Sequence, residues 1–189
     1  LIVGSLFLSA SDRVNSPKSA LIERFIWETD QFYGYRMLRP SDWETFSDGH
    51  QRIYIPPSLV GKADLVSISA ANVKTVAEAR KDTSIIYGNW SLFQKNPTLE
   101  GWSKATERTW SQDGEGFTLV DETPHAKIFA YRPPSEQNEL WMWAFVVDRG
   151  QPLQILLAAG GDYADLERLR EEGIYDDIVV MVLSARAYP

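Results

Sequence analysis

Glu139-Leu-Trp-Met-Trp-Ala-Phe-Val-Val-Asp-Arg-Gly-Gln-Pro-Leu-Gln-Ile-Leu-Leu-Ala-Ala159 is the stretch on which the fold turns. Glu139–Arg149 is dense in Trp, Met, Phe and Val, the pattern of a central strand buried on both faces. Gly150-Gln-Pro152 is a short hairpin connection, and Leu153–Ala159 supplies the partner strand. Such a ribbon needs cover. Downstream, Asp162 can cap a helix over Tyr163–Glu172, with Tyr163, Leu166 and Leu169 on its inner face and Gly173 as its stop. Ile178-Val-Val-Met-Val-Leu183 is β-branched and suits a strand on propensity, yet Asp176-Asp177 stand where acidic residues favour a helix N-terminus.

Working upstream, Phe117–Glu122 and Ala126–Arg132 read as two more strands of a meander, with Pro133-Pro134 opening the turn that follows. Pro97-Thr98 opens a helix from Leu99 to Trp110, with Leu99, Trp102 and Thr106 along one side. Thr75-Val-Ala-Glu78 has the form of a capping box, which predicts a helix over Val76–Tyr87 stopped by Gly88-Asn89. Further strands are expected at Leu21–Glu28, Tyr35–Arg39, Arg52–Ile55 and Ala63–Val73. Pro40 ends the second of these because it has no N–H for the ladder, and Trp43 follows in a turn. Residues 1–20 read as an N-terminal arm or linker and residues 21–189 as one domain. The apolar start Leu1–Leu8, which lacks an initiator Met, suggests a trimmed signal segment or membrane tether, or else a first strand.

The 189 residues carry a net charge of −7, which argues against a nucleic-acid partner, since phosphates need a basic face. No run of Lys and Arg exceeds two, and an anionic membrane surface is disfavoured on the same ground. The chain has no cysteine, so disulfides, thiolate catalysis, thiolate zinc sites and iron–sulfur clusters are excluded.

Two separated blocks resemble the PsbP-like family, which includes the Mog-type Ran-binding proteins and many bacterial secreted or lipid-anchored domains. The first is Gly34-Tyr-Arg-Met-Leu-Arg-Pro-Ser-Asp-Trp43, an aromatic-led strand followed by Pro-x-x-Trp. The second is Glu139–Ala187, an aromatic strand, a Gly hairpin, an apolar strand, a short helix and a closing helix in which Val180 and Ser184 match a Val-x-x-x-Ser stretch. The resemblance implies an α+β fold, an antiparallel sheet of about six strands sandwiched between helices. It also implies that Ile178–Leu183 is helical. The middle segment, Ser84–Gly114, departs from the family in its Trp content and helix spacing. The implied role is a non-catalytic binding or accessory domain in an extracytoplasmic setting, with a protein partner and no cofactor.

Four constellations invite chemistry. Asp121-Glu122-x-x-His125 is the candidate binding site, since two carboxylates and an imidazole could hold a divalent cation weakly if a turn brings them together. Its plainer reading is a solvated turn, and we assign no metal site. The same carboxylates motivate a rival reading, a carboxylate-dependent hydrolase. His50 has no nucleophile elbow near it in sequence. Trp90, Trp102 and Trp110 could form a stacking platform, though such residues more commonly pack helices onto a sheet. Gly160-Gly161 could hold an anion at a helix start, but no Gly-x-Gly-x-x-Gly pattern surrounds it. Asp176-Asp177 and Glu171-Glu172 read as caps and solvated charges. A third reading follows the Mog-type relatives, an intracellular adaptor that binds a small GTPase.

Overall fold

The computed structural model describes residues 23–47, 52–61, 66–80, 85–111, 117–132 and 138–188. In them the chain runs β1 (Phe25–Asp30), β2 (Tyr35–Pro40), β3 (Glu44–Ser47), β4 (Arg52–Ile55), β5 (Val66–Asn72), α1 (Val73–Arg80), α2 (Ile85–Lys95) and α3 (Leu99–Trp110). It continues through β6 (Thr118–Thr123), β7 (Ala126–Tyr131), β8 (Glu139–Asp148), β9 (Gln151–Gly160), α4 (Leu166–Glu171), α5 (Ile174–Ser184) and β10 (Arg186–Ala187). The class is α+β with antiparallel pairing, as expected. The strands divide between two sheets, however: β3-β4-β5-β9-β8-β7-β6 and a smaller β1-β2-β10. Neither β3 nor β10 is expected from the sequence: β10 is only two residues long, and β3, Glu44-Thr-Phe-Ser47, carries a single apolar residue. The expected arm 1–20 and His50 lie outside the described residues.

β8 and β9 pair from Glu139↔Gly160 to Asp148↔Gln151. The turn between them is Arg149-Gly150, with φ of 49° and 74°, so Gln151 and Pro152 already belong to the strand. Two successive left-handed residues make the tight hairpin whose twist matches its strands. β8 is the central strand the sequence promises. Leu140, Met142, Trp143, Ala144, Phe145 and Val146 are all buried.

The two faces of the large sheet are covered differently. Trp143 and Phe145 point toward the helices α1–α3, where Trp110 meets Trp143 edge-on at 5.2 Å and Trp102 meets Phe145 at 4.8 Å. Thr98 caps α3, its hydroxyl accepting from the Gly101 N–H at 3.0 Å. Met142 and Ala144 point the other way, with Ile155, Leu157, Ile68 and Tyr54 from neighbouring strands on the same face. That face is covered by the small sheet and α5. Ser184 of α5 accepts from the Leu38 N–H at 2.9 Å, beside the place where β10 begins.

Ile178–Leu183 is helical, as the family resemblance implies. Ile174, Ile178, Met181 and Val182 form the buried stripe of α5. Three local expectations are corrected. Helix α1 begins at Val73, three residues before the expected Val76, because the buried Asn72 accepts from the N–H groups of Lys74 and Thr75 at 3.1 and 3.2 Å. Gly88-Asn89 does not stop a helix but sits inside α2, where Asn89 donates to Gln154 of β9 at 2.6 Å, a buried bond that anchors the helix. The cap of α4 is Asp165, accepting from the Glu167 N–H at 2.8 Å, while Asp162 lies in a short 3-10 turn over Gly161–Tyr163.

Gly34 joins the layers. It turns the chain between β1 and β2 at φ +70°, and its carbonyl accepts from Asn72 Nδ2 at 3.4 Å and from the Tyr188 N–H at 3.0 Å. A Cβ there would come within 2.6 Å of Thr75 Oγ1, whereas at Gly150, with φ +74°, a Cβ meets nothing within 4 Å. Gly34→Ala is therefore expected to cost about 2–4 kcal/mol, from backbone strain plus overpacking. Gly150→Ala carries the backbone part alone, about 1 kcal/mol. Urea denaturation of both variants checks this; equal losses would remove the steric half of the argument.

Candidate functional site

The candidate residues Asp121, Glu122 and His125 do not converge. β6 and β7 are joined by the two-residue turn Pro124-His125, in which Thr123 Oγ1 accepts from the N–H groups of His125 and Ala126 at 3.3 and 3.1 Å. His125 is exposed at its tip. Successive strand residues point to opposite faces. Glu122, paired with Lys127, therefore faces α3, while Asp121, paired with Ile128, faces the side of Tyr175. Among the described residues no group of three His, Asp or Glu side chains is placed to hold a metal. The hydrolase reading loses its basis with this separation, since its two carboxylates must flank one bond.

Glu122 instead lines an open groove of about 490 Å³ with Leu99, Glu100, Pro124 and Lys127. Its charges neutralise one another. Lys127 pairs with Glu100 and lies 3.4 Å from Glu122, and Lys104 is 2.7 Å from Glu100. Hydrogen bonds from Lys104 and Lys127 hold the Glu100 carboxyl down at about 2. The Gly160-Gly161 amide is likewise spent, since the Gly161 N–H donates to the Asn138 carbonyl at 3.0 Å. A second cleft of about 360 Å³ is lined by Asn72, Lys74, Glu78, Arg149 and Tyr188, and the amides of α1 beside it are the ones Asn72 caps. Trp102 is fully buried against Phe145 and Trp110 meets Trp143, so these two fasten α3 to the sheet, while Trp90 stacks on Phe93 within α2 at 6.0 Å.

A polar cluster missed from the sequence lies between the two sheets. Glu28 of β1 takes Arg39 of β2 through one carboxylate oxygen and Arg52 of β4 at 3.3 Å through the other. Tyr54 donates to Glu28 at 3.3 Å and its hydroxyl lies 2.5 Å from that of Tyr35. Burial pushes both phenols up, so they stay neutral hydrogen-bonding groups. Arg39 also donates to the carbonyls of Pro40 and Trp43, at 2.8 and 3.1 Å. The cluster is a fastener. Glu28→Ala, which strands two arginines, is expected to cost about 3–5 kcal/mol. Tyr54→Phe, which removes one hydroxyl, should cost about 1–2 kcal/mol. Chemical denaturation ranks the two; the reverse order would contradict the fastener.

Asp177 corrects the expectation of a solvated charge. Its side chain is 4% exposed in α5, 2.5 Å from the half-exposed Arg24. Burial raises its carboxyl to about 6, with Arg24 opposing and Asp42 and Asp176 adding to the rise. A carboxyl raised on folding binds its proton more tightly in the folded state. Its contribution is therefore full below the unfolded value near 3.8 and is lost as pH rises through about 6. Relative to Asp177→Asn, the native chain should lose about 1–2 kcal/mol of stability between pH 4.5 and 7.5. Unfolding curves at the two pH values test this, and a constant difference would remove Asp177 as the cause.

The outer face of the small sheet is exposed. Tyr35, Met37, Arg39 and Glu28 point inward, so Trp27, Thr29, Arg36 and Leu38 point out. Trp27 is 57% exposed, with the Arg36 guanidinium 5.1 Å from its ring. Arg186 of β10 pairs with Arg36 on the same face, and the exposed Leu183 adjoins it, its carbonyl accepting from Arg186 at 3.0 Å. This surface is not legible in Phe25-Ile-Trp-Glu-Thr-Asp30, where nothing says which side of the strand is covered.

No family model matches the sequence, and no curated protein matches it. Among solved structures the chain is similar to cyanobacterial PsbP (CyanoP) from Synechocystis sp. PCC 6803 in solution, at 14% identity. The match covers 87% of this chain and 93% of that one, with a TM-score of 0.44. At that level it transfers no site and no partner, which rest on this chain's own residues.

Proposed function

We propose that the chain is a non-catalytic binding or accessory domain that docks a protein partner through the outer face of its small sheet. The observation that carries the reading is Trp27, a large aromatic side chain left 57% exposed in a strand whose inner face is fastened to the core. Aromatic and arginine side chains concentrate binding energy at protein interfaces, and Trp27 with Arg36 places one of each side by side. The extracytoplasmic setting implied by the family resemblance belongs to this proposal and is checked by fractionating native cells.

Trp27→Ala separates binding from folding. The side chain gives the fold little beyond its contact with Arg36, worth about 0.5–1 kcal/mol at an exposed site. The variant should melt within about 4 °C of the native chain. In native gels of the source cells, the native chain should migrate in a complex and Trp27→Ala as the free chain. Co-migration of the variant with the complex would contradict the reading.

A further inference from the structure

Two arginines stand side by side on the outer face of the small sheet, and among the described residues neither meets a carboxylate. Arg36 and Arg186 are directly opposite in the β2–β10 ladder. Side chains so placed share a face, and like charges there repel. Arg36 lies against the Trp27 ring, and Arg186 donates to the carbonyls of Leu183 and Ala185 at 3.0 and 2.7 Å. Among the described residues no ion pair joins either to an acid. Elsewhere among the described residues six arginines meet an acid, Arg24 with Asp177, Arg39 and Arg52 with Glu28, Arg149 with Asp148, Arg168 with Glu172, and Arg170 with Glu167; Arg108 and Arg132 do not, but neither stands beside a second arginine across a strand ladder. With 26 acidic residues against 19 basic ones, a pair of arginines without acids beside the most exposed tryptophan is a local reversal of the chain's charge.

We infer that this face recognises an acidic segment of a protein, whose carboxylates lie across Arg36 and Arg186 while an apolar side chain rests on Trp27 and Leu38. The inference rests on the reading of the Trp27 face as a docking surface. Guanidinium forks take carboxylates through two parallel hydrogen bonds, and the repulsion between the two arginines is relieved when an anion lies between them. An anionic bilayer is the rival occupant. Recognition of that kind uses clusters of about four to eight basic residues. Among the described residues this face offers two, on a chain whose net charge of −7 opposes approach to such a surface.

The test is selection from a random twelve-residue peptide library displayed on phage, with the full chain immobilised. Peptides recovered on the native chain should be enriched in Asp and Glu together with an aromatic or aliphatic residue. Their affinity should fall at least tenfold on Arg36→Glu, and again when salt is raised from 50 to 300 mM. Peptides without acidic enrichment, or with affinity unchanged by Arg36→Glu and Arg186→Glu, would overturn the inference. Trp27→Ala separates the two levels. If it weakens binding while the charge reversals do not, the docking face stands and the acidic partner falls. If it has no effect on any selected peptide, the docking face itself falls. Vesicles containing 30% phosphatidylserine are the last arm; binding to them that is lost in Arg36→Glu would overturn the protein partner in favour of a membrane.

Discussion

Glu28 sits between Arg39 and Arg52 with the hydroxyls of Tyr54 and Tyr35 close by, and through these five side chains the small sheet is held to the large one. The constraint is strict because none of them can be released singly. Removing the carboxylate leaves two guanidinium groups in a half-dry interface, and removing the Tyr54 hydroxyl leaves that of Tyr35 without its partner. The pairing of β1 with β2 follows from it, since Glu28 and Arg39 must both point inward. In an antiparallel pair the remaining residues then have one place to go. Trp27, Arg36 and Leu38 face outward because their neighbours are committed inward.

The C-terminal third supplies the rest of the support. α5 and β10 continue the layer that the small sheet begins, and the chain end is tied on both sides. The Ala187 N–H donates to Asp148 in the β8–β9 hairpin at 3.0 Å, and the Tyr188 N–H donates to Gly34 between β1 and β2. These bonds bring Arg186 opposite Arg36 from more than a hundred residues away in sequence. The outer face is thus a joint product of the first and last strands, braced by a core of aromatic edge-to-face contacts at Trp102, Phe145, Trp143 and Phe117.

What could be read in advance were the elements whose chemistry is local. β8 and β9 announce themselves by an apolar run around a glycine turn, α3 by its Pro-Thr start, and β2 by alternation ended at Pro40. The errors fall where a distant partner decides. Thr75 and Glu78 look like a capping box, but Asn72 is held at the helix start by its contact with Gly34 and takes the role. Asn89 looks like a stop beside Gly88 until Gln154 of β9 gives its amide a buried acceptor. Ile178–Leu183 is undecided by propensity, and the family resemblance gave the helix. For the site, Asp121 and Glu122 are adjacent in sequence and so are on opposite faces of a strand. Glu28, Arg39, Arg52 and the two tyrosines come from three strands, and no spacing in one dimension could have grouped them. Nor could exposure at Trp27 be foreseen, since it depends on which face the fastener claims.

The central claim, that the outer face of the small sheet is where this domain meets a protein, is tested most directly by placing a photo-reactive amino acid at Thr29. That residue is exposed on the same face and takes no part in the fastener. Irradiated in native cells, the chain should form one discrete adduct from position 29 and none from Phe46 or His125, which are exposed elsewhere. An adduct from either of those positions, with none from 29, would contradict the account.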